Sequence, residues 1–121
     1  MNRKHLHSVW LAAIVTISGF SCSVVSAQDA PRRIEITAKR FAFEPGEITL
    51  KKGQPVTLVV TSKDVAHGLR FRDLNVELRV SAGGKSEVHF TPQKSGDFVG
   101  HCSVFCGSGH GEMMLTLHVE D

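Results

Sequence analysis

The chain has 121 residues, with 14 Lys and Arg against 12 Asp and Glu, seven His, three Cys, one Trp and no Tyr. That length suits one compact domain with a single core. Its slight basic excess is no argument for nucleic-acid binding, which needs clustered Lys and Arg with interleaved aromatics, and the sequence offers no serine-histidine-acid set, phosphate loop or paired-carboxylate motif for an independent enzyme.

From the N-terminus, Met1 to His7 is polar and basic through Arg3 and Lys4, and an apolar run follows from about Val9 to Val25. Val25-Ser26-Ala27 supplies the small residues of a cleavage site. Residues 1–27 are therefore expected to be a signal peptide cleaved after Ala27. An uncleaved membrane anchor is the alternative, because the apolar run is near the lower limit for a span. Cys22 falls in this leader and is assigned no metal role, and Gly19-Phe20-Ser21 before it is a poor match to a lipoprotein signal. Both charged residues of the leader are basic, so residues 28–121 carry 12 residues of each sign and no net charge. Gln28 to Arg32 is expected to be a frayed terminus.

The rest reads as all-β. Short alternating runs occur at Ile34/Ile36, Ile48/Leu50, Val56/Leu58/Val60, Val88/Phe90 and Leu115/Leu117/Val119. They are broken by Pro45-Gly46, Lys52-Gly53, Gly83-Gly84 and Ser95-Gly96. Strands this short and this regularly punctuated predict a Greek-key β-sandwich of two sheets, with no convincing helix beyond the leader.

Near the C-terminus, Cys102-Ser-Val-Phe-Cys106-Gly-Ser-Gly-His110-Gly-Glu-Met113 places two thiols, an imidazole and a thioether at intervals of four, four and three. Thiolate and thioether sulfur favour Cu(I), and imidazole accepts either copper oxidation state. A single-copper electron-transfer site needs only one cysteine, so two thiolates bridging two coppers is the reading that uses every donor. A tetrahedral zinc site built from Cys102, Cys106, His110 and another histidine is the main rival. A disulfide between Cys102 and Cys106 is the third reading, given an oxidising compartment. The segment Ser62-Lys63-Asp64-Val65-Ala66-His67 supplies the further histidine, 35 positions before Cys102.

Strand parity separates the adjacent methionines. Met113 shares parity with Leu115, Leu117 and Val119 and should point inward, whereas Met114 shares parity with Thr116, His118 and Glu120. By the same reasoning His101 faces away from Cys102, and His89 and His118 are solvated strand residues. Gly107, Gly109 and Gly111 alone read as an ordinary mobile glycine loop, but among these donors they would let the loop double back closely around a metal. Asp64, three before His67, either orients that imidazole or forms an ordinary Asx turn. Lys63, Arg70 and Arg72 flank His67, partly balanced by Asp64 and Asp73, which is either an ordinary solvated charge pattern or a mildly basic rim suited to an acidic partner.

The pairing of S-x-D-V-x-H with C-x3-C-G-x-G-H-x-x-M resembles the binuclear copper A (CuA) domain of cytochrome c oxidase subunit II, a cupredoxin, and is similar to the corresponding domain of nitrous oxide reductase. The resemblance runs from about Phe43 to Val119 and includes the P-x-x-I-x-L-x-x-G segment at Pro45 to Gly53. It implies a cupredoxin sandwich over residues 28–121 in which Cys102 and Cys106 bridge two copper ions and His67 and His110 each bind one. Met113 is then the weak ligand, and the carbonyl of Val104 completes the set. Many subunit II sequences carry glutamate at the position of Val104, whose carboxylate also meets a magnesium ion at the boundary with subunit I. Valine keeps the carbonyl alone.

The implied function is electron transfer in the periplasm, from a stand-alone carrier or one tethered to the outer face of the inner membrane. Its partner would be a redox protein such as a cytochrome or a terminal reductase or oxidase. A copper chaperone or storage module for oxidase assembly, or an accessory oxidase subunit, is the alternative. The two-helix membrane hairpin and the aromatic-rich segment typical of full subunit II have no counterpart in this sequence, so electron entry through an aromatic side chain does not carry over.

Overall fold

The computed structural model describes Gly19, residues 21–23 and residues 30–121. Most of the expected leader and its cleavage point after Ala27 lie outside the described residues. Among the described residues no helix is long and apolar enough to cross a membrane.

The described residues form nine strands: β1 Arg32–Lys39, β2 Ala42–Glu44, β3 Glu47–Lys51, β4 Val56–Ser62, β5 His67–Phe71, β6 Val76–Val80, β7 Lys85–Phe90, β8 Gly96–His101 and β9 Met114–Glu120. They form a four-stranded sheet in the order β2-β1-β4-β7 and a five-stranded sheet in the order β3-β9-β8-β5-β6. The β1/β4 and β3/β9 pairs are parallel and the others antiparallel. Among the described residues helix is limited to two single 3-10 turns, Arg72–Leu74 and His110–Glu112. The all-β cupredoxin-like sandwich expected from the sequence is the fold observed. Arg32, expected to be frayed, instead opens β1, its backbone N–H donating to Pro55 O at 2.9 Å.

Alternation dictates the layers. In β9 the side chains of Leu115, Leu117 and Val119 are buried, while Met114 is exposed and Thr116 and His118 are half-buried. Ile36, Phe43, Ile48, Leu50, Leu58, Val60, Leu69, Phe71 and Leu78 complete the core between the sheets. Burying each such side chain stabilises the fold by about 1.5–3 kcal/mol relative to exposure. β4 is the exception to alternation, with Thr57 and Val59 also buried on the outward face. Val59 lies between Glu35 and Glu87 in register, and Arg33 reaches both carboxylates, so a charged lattice lies across this strand. His89 is exposed as expected and lies 2.7 Å from Thr57 Oγ1. His118, half-buried rather than fully solvated, pairs with Asp97 at 2.6 Å and Glu47 at 3.6 Å. The Asp97 hydrogen bond raises its pKa above the ordinary value. This trio ties β3 and β8 to β9.

At one end of the sandwich, three connections meet: the 40–41 turn between β1 and β2, the 63–66 loop after β4 and the 102–113 loop after β8. Lys63 N–H donates to Ala38 O at 2.9 Å, Ser103 N–H to Gly68 O at 3.3 Å and Cys102 N–H to Met113 O at 3.0 Å. The last bond closes the base of the cysteine loop.

Candidate metal centre

His67 opens β5 and is fully buried. The four residues 63–66 separate it from the end of β4. Asp64 in that loop lies 2.7 Å from His67 Nε2 and, as a carboxylate, accepts the hydrogen bond of that ring N–H. Nδ1 is thereby left to face inward, 3.9 Å from Cys102 Sγ. Asp64 also accepts the N–H of Val65 at 2.7 Å and of Arg40 at 2.8 Å. Of the two readings of Asp64 the orienting one is observed: the carboxylate holds the imidazole and fixes its own loop, but its local bond goes to the next residue rather than to the N–H two residues on that an Asx turn uses. These bonds, the Arg40 backbone bond first and the His67 bond next, hold its pKa down at about 2.

The two thiols are buried and free. Their sulfurs are 3.7 Å apart, well beyond the ~2.05 Å of a disulfide. Cys102 Sγ sits 3.2 Å from the carbonyl oxygen of Val104. Cys106 Sγ is 3.7 Å from His110 Nδ1 and 3.8 Å from Met113 Sδ. Met113 is fully buried and Met114 is 47% exposed, as strand parity requires. The donor atoms of His67, Cys102 and Cys106 lie within 4.8 Å of one another. All six residues singled out in the sequence are thus gathered at one end of the core, with the cysteine pair central.

Donor chemistry and spacing fit a bound metal. Two sulfurs of one tetrahedral ion with metal–sulfur bonds of about 2.3 Å are separated by roughly 3.8 Å, close to the 3.7 Å found. Without a cation, burial pushes the Cys106 thiol up to about 11, with the hydrogen bond and charge of Cys102 adding to the rise. Arg40 opposes it. A metal would remove this penalty, since coordination deprotonates a thiol outright.

The loop follows its glycines. Gly107 has φ +136°, and a Cβ there would come within 2.9 Å of the Phe41 ring. At Gly109 the same ring would be 2.6 Å away. Gly111 by contrast faces open space. Over the other side of the loop lies a basin of about 490 Å³ lined by Arg70, Arg72, His101, Cys102, Ser103 and His110. Lys63 is not part of this lining and no carboxylate is. Arg70, His101 and Met114 are cross-strand neighbours on the outer face of the five-stranded sheet. His101 therefore sits beside Cys102 but faces outward, as expected. Phe105 is 79% exposed, and its ring lies 5.6 Å from that of His110.

Residues 9–115 match the cupredoxin-like domain family. The chain belongs to that family. This cupredoxin is 30% identical over 88 residues to cytochrome c oxidase subunit 2 of Thermus thermophilus, a match covering 73% of this chain and 65% of the relative. It is 35% identical over 91 residues to the nitrous-oxide reductase of Cupriavidus necator, covering 72% of this chain and 14% of that enzyme. The match thus spans slightly less than two thirds of the first relative's length. Among solved structures, the periplasmic domain of subunit II of the Bradyrhizobium japonicum cytochrome oxidase superposes with a TM-score of 0.68 at 22% identity, covering 74% of this chain and 84% of that one. The cupredoxin therefore resembles the soluble domain of oxidase subunit II in sequence and fold, and its buried His and two Cys form a potential copper site.

Arg40 and Phe41 are the residues of the site that the sequence reading missed. Arg40 Nε donates to Cys106 O at 2.9 Å across 66 positions. An arginine and a phenylalanine in a short turn carry no signal for such a contact.

Proposed function

We propose that the domain is an electron-transfer module with a two-copper centre. Cys102 and Cys106 bridge, His67 and His110 cap the two ends, Met113 is the weak ligand and the Val104 carbonyl the last. The observation that carries this reading is the continuous run of donors, His67 Nδ1 to Cys102 Sγ to Cys106 Sγ to His110 Nδ1, at 3.9, 3.7 and 3.7 Å. The centre would supply a one-electron couple. The protein's part is to hold buried donors in place across the redox change: Asp64 fixes the His67 ring, and the Cys102 to Met113 backbone bond fixes the loop. Burial also argues against copper delivery, because His67 and Met113 are fully buried and the thiols 4–5% exposed, leaving an acceptor little access to them.

By kinship with oxidase subunits and nitrous-oxide reductases, the domain works outside the cytoplasmic membrane, exported by its leader or tethered through it. Its partner is a cytochrome or a terminal oxidase or reductase. The Arg70, Arg72 and His101 basin suits an acidic docking surface on that partner. Association with it should slow as salt is added, and an unchanged or faster rate would remove the proposal.

The test of the centre is to express residues 28–121, load them with copper, and measure metal content with optical and electron paramagnetic resonance spectra. Two coppers per chain, a purple colour and hyperfine coupling of one electron to both nuclei are expected. One copper, copper held only as Cu(I), or preferred zinc would sink the two-copper reading.

A further inference from the structure

Arg40 reaches both halves of the site from a third part of the chain. Its backbone N–H donates to Asp64 Oδ2 at 2.8 Å, and Asp64 holds His67. Its guanidinium Nε–H donates to the carbonyl of Cys106 at 2.9 Å. The next residue, Phe41, lies where a Cβ on Gly107 or Gly109 would be. The 40–41 turn thus joins the His67 loop to the Cys106–His110 segment, which otherwise lie about 40 positions apart in sequence.

We propose that Arg40 is a positioning residue for the centre, acting on Cys106 in two ways. Its hydrogen bond fixes the carbonyl, and hence the backbone that aims Sγ. Its permanent charge favours the reduced state of the loaded centre, a step that rests on the two-copper reading. The direction follows from Coulomb's law, since a nearby cation stabilises whichever state carries less positive charge. Arg40 is itself exposed, so its removal leaves the hydrophobic core intact.

The experiment compares the full chain with Arg40→Met and Arg40→Lys. Copper affinity is read by titration against a competing chelator, with thermal melts of the metal-free proteins as the check on folding. Arg40→Met should weaken copper binding by about 10-fold or more, as loss of a partner that orients a ligand does, with little change in the metal-free melt. Arg40→Lys, which keeps the charge, should recover much of that loss. In the copper-loaded proteins, the reduction potential should fall in Arg40→Met and stay nearer the parent in Arg40→Lys. A methionine variant that matches the parent in both copper affinity and potential would overturn the proposal, as would a lysine variant shifted as far as the methionine one. Metal content of the parent chain tests the two-copper reading separately, since the affinity readout applies to whatever number of ions the site holds.

Discussion

A Cys106→Ser chain is expected to lose the paired-copper centre while keeping the sandwich. Cys106 Sγ is the hub of the donor set, 3.7 Å from Cys102 Sγ, 3.7 Å from His110 Nδ1 and 3.8 Å from Met113 Sδ. Serine offers a hard oxygen in place of a soft, bridging sulfur, and copper in its lower oxidation state discriminates strongly between them. Without the second bridge, His110 and Met113 lose the atom that joins them to Cys102 and His67. Copper content should fall from two per chain to one or none, and the hyperfine coupling to two nuclei should vanish. The fold should survive, because burying a hydroxyl costs about 1–3 kcal/mol against a typical domain stability of roughly 5–15 kcal/mol. Circular dichroism of the metal-free variant checks that point. A serine variant that still holds two coppers with the parent's spectrum would remove Cys106 from the centre.

What the sequence made legible was whatever is periodic or close in the chain. β4 and β9 carry Val and Leu at alternate positions, and the parity of β9 by itself places Met113 inward and Met114 outward. Four strands escaped. β2 is only three residues long, and β8 includes Gly96 and Gly100, which lack the side chains that give strands their signature. In β5, Gly68 and Arg70 interrupt His67, Leu69 and Phe71, whereas β6 alternates cleanly as Val76, Leu78 and Val80 and obeys the same rule as β4 and β9. The donor set was readable because five of its six members fall within twelve residues. The supports were not: Arg40 meets Cys106 across 66 positions and Asp64 across 24, and no local pattern encodes a partner that far away.

Gly68 is the other support of this kind, and Gly68→Ala is expected to weaken the centre more than it weakens the fold. A Cβ at Gly68 would overlap Ser103 Oγ and lie 3.1 Å from Val104 Cγ2 and 3.2 Å from Val104 N. The serine hydroxyl makes no hydrogen bond and is free to rotate away. The backbone nitrogen is not, so residues 103–104 must move outward by a few tenths of an ångström. That backbone carries the Val104 carbonyl, 3.2 Å from Cys102 Sγ, and receives little slack because Ser103 N–H is bonded to Gly68 O. Displacing such a support typically costs roughly 10- to 100-fold in metal affinity, and the overpacking about 1–3 kcal/mol in stability. Gly100→Ala supplies the comparison: its Cβ would come within 2.6 Å of the ring of Phe71, which is 1% exposed and cannot yield. It should destabilise the metal-free fold by at least as much, yet hold copper within a few-fold of the parent once folded. Copper titrations against a competing chelator, paired with thermal melts of the metal-free proteins, decide the matter. If affinity simply follows stability across both variants, the 68/104 contact has no separate role in holding the site.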